Sequence, residues 1–225
     1  MQTRHLRGFL FDLHGVLADS WQYHLASWQT IAQELHIPWT DQLAATLPGM
    51  SRADSLTVIL ASVGRESEFT PEQRLRLTNH ENDLYRQYVA ALTPANCLPG
   101  VTAFLDELVA AEYPMALASA SANAPAEISH LGLAKYFPRI VPAASLKASK
   151  PAPDVYLAAA ALIHQNPEDC VAFEDTVTGV RSAKAAGCFT VGINAKNLPQ
   201  ADAMLASTRE LSLSAVQRAL GQLSV

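Results

Sequence analysis

The chain has 225 residues, 49% of them apolar and 16% charged, with a formal net charge of −5. That is ordinary for a soluble globular protein, and long enough for one sizeable core plus a small accessory domain. The negative balance and the lack of any Lys or Arg run argue against a nucleic-acid surface, and no apolar run approaches membrane-spanning length.

In chain order, the apolar run Phe9 to Phe11 is predicted to be a strand buried on both faces, as in a parallel sheet. It runs straight into Asp12, and Gly15 lets the backbone turn away sharply. In an open α/β sheet the chemistry sits beyond the carboxyl ends of the strands, so Asp12 stands where a nucleophile or metal ligand would stand. Trp21 to His36 reads as an amphipathic helix with Trp21, Leu25, Trp28, Ala32 and Leu35 on one stripe. Helices are predicted from Asp41 to Thr46 and from Arg52 to Val63, separated by Pro48-Gly49. Thr70-Pro71-Glu72 has the form of a helix start, with Thr as N-cap and Pro in the first position, and that helix runs to about Ala91. Residues 19–92 are thus nearly all helix, and 93–100 read as a connector.

From there the pattern alternates. Helices are predicted at Val101–Ala111, Pro125–Leu131, Asp154–Ile163 and Val177–Ala186. Strands are predicted at Pro114–Ala118, Arg139–Val141, Cys170–Phe173 and Phe189–Ile193. Such alternation gives a parallel sheet with helices on both faces. The expected architecture is α/β: a Rossmann-like core of residues 1–18 and 93–225, with a four-helix cap, residues 19–92, inserted after the first strand. Cys97, Cys170 and Cys188 are odd in number and lack the paired spacing of a metal or redox motif. Reduced thiols and the absence of a signal-peptide pattern give the expectation of a cytoplasmic protein.

The strand ends carry the chemistry. The first ends in Asp12, the second in Ser119-Ala120-Ser121 and the fourth in Glu174-Asp175, while the intervening loop carries Lys147 and Lys150. These residue types suit one task. Carboxylates hold Mg²⁺, an oxygen-seeking ion. The hydroxyl, backbone N–H groups and ammonium neutralise the outer oxygens of a phosphoryl group. Asp12 can then attack phosphorus to form an aspartyl-phosphate.

At Phe11-Asp12-Leu13-His14-Gly15-Val16, Ser119-Ala120-Ser121, Lys150-Pro151-Ala152-Pro153-Asp154 and Glu174-Asp175-Thr176 the sequence resembles the haloacid dehalogenase-like superfamily. Tyr23-His24, Trp28 and the run from Gly49-Met50-Ser51-Arg52 to Leu56 resemble its β-phosphoglucomutase-like branch of phosphosugar enzymes. The resemblance spans essentially the whole chain, and four tetrads in order at strand ends make it specific. It implies Asp12 as phosphoryl acceptor, Ser119 as a phosphate ligand and Lys150 as the neutralising cation. It also implies Glu174 and Asp175, with Asp12 and the backbone carbonyl of His14, as the Mg²⁺ site. Arg52 would hold the distal phosphate of a sugar phosphate, and His24, Trp28, Gly49, Ser121 and Asn123 would contribute to substrate binding. The implied activity is interconversion of β-glucose 1-phosphate and glucose 6-phosphate; a sugar-phosphate phosphatase and a low-turnover sugar-phosphate binder are the alternatives. Monomers are common among proteins with such a cap, and a monomer acting on a small-molecule sugar phosphate is expected.

Three positions depart from the family pattern. Phosphotransferases of this superfamily carry a second Asp two residues after the nucleophile as general acid/base, and here that residue is His14. An imidazole, with a reference pKa of about 6.5, is competent for proton transfer, yet it is longer than a carboxylate and cationic when protonated. His14 therefore reads as a replacement acid/base, as a handicapped site, or as a residue turned elsewhere. Mutases of the branch also tend to carry lysines where this chain has Pro48 and Ala122, which strengthens the phosphatase alternative. The Trp28 stripe reads as cap core more readily than as a sugar platform, and the following Pro-x-Pro-Asp favours Lys150 over Lys147.

Overall fold

A computed structural model describes residues 6–194 and 198–222; residues 1–5, 195–197 and 223–225 of the expected core domain lie outside it. The chain divides into two compact units, one of residues up to Asp19 and from Leu92 onward, the other Ser20–Ala91.

In the first unit, β1 (Gly8–Phe11), β2 (Met115–Leu117), β3 (Cys170–Glu174), β4 (Phe189–Ile193) and β5 (Ala203–Leu205) form one sheet in the order β2-β1-β3-β4-β5. Every pairing in it is parallel. All residues of β1, β3 and β4 are buried, as a sheet covered on both faces requires. Side chains alternate across it. Phe9, Phe11 and Phe173 face one way with Phe104, the Phe11 and Phe173 rings stacked at 4.9 Å. Leu10, Ala116 and Ala172 belong to a second buried cluster with Val155, Tyr156, Ala159 and Ile163. The covering helices are α5 (Val101–Ala110), α6 (Ala124–His130), α7 (Asp154–Leu162), α8 (Val177–Ala185) and α9 (Leu213–Gln222).

The predicted strand at Arg139–Val141 is reduced to one bridge, Leu117 to Ile140, flanked by two backbone hydrogen bonds. Pro138 and Pro142 bracket it, and each lacks an N–H for a ladder. Strand β5 was not expected, because a three-residue segment, Ala203-Met204-Leu205, with Met204 exposed, is too short to carry sequence periodicity.

The inserted unit holds α1 (Trp21–Glu34), α2 (Asp41–Thr46), α3 (Arg52–Ala61) and α4 (Pro71–Ala90). Helix α4 opens with a full capping box: Thr70 accepts from the Gln73 N–H while the Gln73 side chain accepts from the Thr70 N–H, and Pro71 follows. Trp28, Ile31, Ala32, Leu43, Leu56, Ile59 and Leu60 make its core. Trp28 is 1% exposed within this cluster, in line with the reading of its helical stripe as cap core. Among the described residues no helix is long and apolar enough to cross a membrane.

Trp28→Phe is expected to lower the stability of the chain by about 1–3 kcal/mol through the cavity it opens, with no change in KM for an accepted substrate. Thermal unfolding alongside steady-state kinetics separates the two; a raised KM with unaltered melting would return Trp28 to the binding surface.

Candidate active site

Register fixes the centre of the site. Phe11 lies opposite Phe173, so the next residues, Asp12 and Glu174, lie side by side on the opposite face of the sheet, the face that α7 covers. The Asp12 N–H donates to the Phe173 carbonyl at 3.1 Å and the Ala118 N–H to the Phe11 carbonyl at 2.7 Å. Asp12 is thereby held at the end of a central strand, with Ser119 beyond β2 close in sequence to the same ladder.

Lys150 joins the two acids. Its Nζ donates to Asp12 Oδ1 at 2.8 Å and to Glu174 Oε1 at 2.5 Å. The Tyr156 hydroxyl, from α7, donates to the same Glu174 oxygen at 2.6 Å. Burial pulls the Lys150 ammonium down, but Asp12 and Glu174 outweigh it and hold the group above its ordinary range. Burial, then the Asp12 charge, pushes Glu174 up against the pull of Lys150 and Tyr156. Lys147, by contrast, is exposed.

Asp175 follows directly. Asp12, Glu174 and Asp175 each bring a carboxylate oxygen within 4.8 Å of the others. Asp175 Oδ1 is buried without a hydrogen-bond partner among the described residues. Burial, then Glu174 and Asp12, raises its carboxyl well above the usual range. Three crowded carboxylates facing one ammonium, with an unpartnered inward oxygen, are a donor set that fits a hard divalent cation. Two glycines make room for it. Gly15 has φ +73° and a Cβ there would overlap the Asp175 carboxylate, while a Cβ on Gly179 would overlap that of Glu174.

The loop after β2 is folded by its own side chains: Ser119 Oγ accepts from the Ser121 N–H and Ser121 Oγ from the Asn123 N–H, each at 3.2 Å. His14 sits with its Nδ1 3.7 Å from Glu127 Oε2, from α6.

In the inserted unit, His24 Nδ1 and Glu81 Oε1 share a hydrogen bond of 2.9 Å, and the His24 ring stacks on Tyr85 with centroids 3.6 Å apart. Arg52 donates to Asn82 Oδ1. Gly49 has φ +82° in the turn before α3. Burial pushes the Glu81 carboxyl up to about 7, with Arg52 drawing it back.

Tyr156, Glu127 and Glu81 were not singled out from sequence. Glu81 could have been, because Glu81, Tyr85 and Val89 form the buried i, i+4, i+8 stripe of α4. Tyr156 reads as ordinary helix core two residues past Asp154. Glu127 carries the same signal as Glu81, an acid on the Ala124, Ile128, Leu131 stripe of α6, but the group facing it, His14, lies far away in the chain.

The description haloacid dehalogenase-like hydrolase matches residues 9–193 of this sequence. The chain belongs to that family. It is 35% identical to β-phosphoglucomutase of Bacillus subtilis (strain 168), over 92% of each chain. It is also 30% identical to hexitol phosphatase A of Escherichia coli (strain K12), over 92% of this chain and 94% of that one. A crystal structure of β-phosphoglucomutase from Clostridium difficile superposes with a TM-score of 0.92 at 30% identity, covering 97% of this chain and 99% of that one. The haloacid dehalogenase-like fold expected from sequence is therefore the observed one. The chain is an enzyme of this family, and its relatives include both mutases and sugar-phosphate phosphatases.

Gly15→Ala is expected to cost roughly 1–3 kcal/mol, from the left-handed backbone and the displaced Asp175 carboxylate, read as a lowered melting temperature. Glu81 sets a pH dependence. Its folded pKa of about 7 exceeds the ordinary 4.5, so between these values the folded chain holds a proton that the unfolded chain has released. Stability falls as pH rises through that window. Glu81→Gln should flatten the loss, on the order of 2 kcal/mol, in melting curves taken from pH 5 to pH 8.

Proposed function

We propose that this chain catalyses Mg²⁺-dependent phosphoryl transfer on a sugar phosphate, in the manner of a β-phosphoglucomutase, with Asp12 as the phosphoryl acceptor. The observation that carries the reading is the Asp12–Lys150–Glu174 contact, which holds a carboxylate and a buried ammonium together at the end of a central strand. Asp12, Glu174, Asp175 and the His14 carbonyl would hold Mg²⁺, which when bound draws charge from the phosphoryl oxygens.

An Asp12 oxygen attacks phosphorus, the bond to the sugar oxygen breaks, and His14 gives that oxygen its proton. In the return step His14 takes the proton of another sugar hydroxyl as that oxygen attacks the aspartyl-phosphate. Lys150, in contact with Asp12, stabilises the added negative charge, and Ser119 and the N–H groups around Ser121 bind the phosphoryl oxygens. Arg52 binds the phosphate that is not transferred. His24, Gly49 and Asn123 assist substrate binding, consistent with their places in the branch pattern.

The second reading is a phosphatase, in which water takes the part of the second hydroxyl. Pro48 and Ala122, at positions where mutases of the branch tend to carry lysines, favour it, as does the likeness to hexitol phosphatase A. Phosphorus NMR with Mg²⁺, β-glucose 1-phosphate and a trace of glucose 1,6-bisphosphate is expected to give glucose 6-phosphate. Inorganic phosphate alone would support the phosphatase. Asp12→Asn should abolish both products, and activity surviving in that variant would overturn the acceptor assignment.

A further inference from the structure

Glu127 is an acid where the fold calls for an apolar residue. Helix α6 buries Ala124, Glu127 and Ile128, and Leu131 just past its end is buried too, the i, i+3, i+4, i+7 stripe of a helix packed on a core. Glu127 is 0% exposed, and neither of its carboxylate oxygens has a hydrogen-bond partner among the described residues. Burying a carboxyl in this way is costly unless a partner or a function compensates. The group facing it is His14, whose Nδ1 lies 3.7 Å from Glu127 Oε2 and whose side chain is 12% exposed. That separation is within ion-pair range; a shift of about half an ångström makes it a hydrogen bond. The two nitrogens of an imidazole diverge, so the approach of Nδ1 to Glu127 turns Nε2 away from α6.

We propose that Glu127 is a positioning residue for His14: its carboxylate accepts the Nδ1–H of the imidazole, leaving Nε2 to exchange the proton with the sugar oxygen. This rests on the reading of His14 as the acid/base. A carboxylate behind a histidine fixes the ring's orientation and tautomer, which a longer, rotatable replacement for an aspartate needs. The pair has a further consequence. An aspartate at position 14 would set a second carboxylate against buried Glu127, so the two positions are matched, and neither tolerates exchange alone.

The test is a double-mutant cycle of His14→Asp with Glu127→Leu, with Glu127→Gln as the isosteric control, read by kcat and KM for phosphoryl transfer. In the parent, Glu127→Leu should lower kcat about 10–100-fold with KM little changed, and Glu127→Gln, which keeps an acceptor oxygen, should recover part of the loss. In the His14→Asp background the sign should reverse, Glu127→Leu raising kcat. Equal losses in both backgrounds, or none in the parent, would overturn the proposal, because a purely structural Glu127 acts alike in both. If no variant turns over any sugar phosphate, the proposed function fails instead. Nitrogen-15 spectra of the His14 ring then decide the pairing: an Nδ1–H tautomer that Glu127→Leu abolishes supports it, and an unchanged tautomer overturns it.

Discussion

The Lys150 ammonium, held between Asp12 and Glu174, is the contact on which the active centre depends. Two carboxylates at adjacent strand ends, both shielded from water, repel one another, and a third, Asp175, stands beside them. Without the ammonium the cluster would drive protons onto its own acids; Glu174 and Asp175 are already pushed upward despite it. Tyr156 steadies the deepest member by donating to the same oxygen that Lys150 reaches. The remaining excess of negative charge is what a divalent cation would balance. Stability and function thus pull on the same atoms: a neutral cluster would be easier to bury and would bind no metal.

The sheet enforces this crowding. Parallel pairing of β1 with β3 brings Asp12 and Glu174 into register, and alternation of side chains sends both to the face that α7 covers. The phenylalanines on the opposite face, stacked between Phe11 and Phe173, pin the same register from behind. A slip of one residue would exchange the aromatic and acidic faces, so the core that folds the sheet also aims the acids.

The inserted unit repeats the theme on a smaller scale. Besides an apolar core built on Trp28 and Ile59, it buries a carboxyl, Glu81, that pairs with His24. Among the described residues, two acid–imidazole pairs have a fully buried acid, one in each unit, and in each the acid lies on the inward stripe of a helix. In the first unit the pair includes the residue that departs from the family pattern. The imidazole of His14 there faces a buried carboxyl, Glu127, a group whose burial is costly without a partner.

Much was legible along the chain. Strand–helix alternation, the Thr70-Pro71 helix start and the apolar run into Asp12 are local patterns, with periods set by backbone geometry, and they gave the fold and the helical insertion. The residues Asp12, Lys150, Glu174 and Asp175 were readable because each follows a strand or loop whose position is itself local. The bridge at Leu117–Ile140 and strand β5 were not, because short segments carry no period and pair only where a sheet edge is offered. The roles of Tyr156 and Glu127 needed the tertiary structure. Their meaning lies in partners or enclosure supplied from distant parts of the chain, and burial, unlike periodicity, is a property of the folded whole.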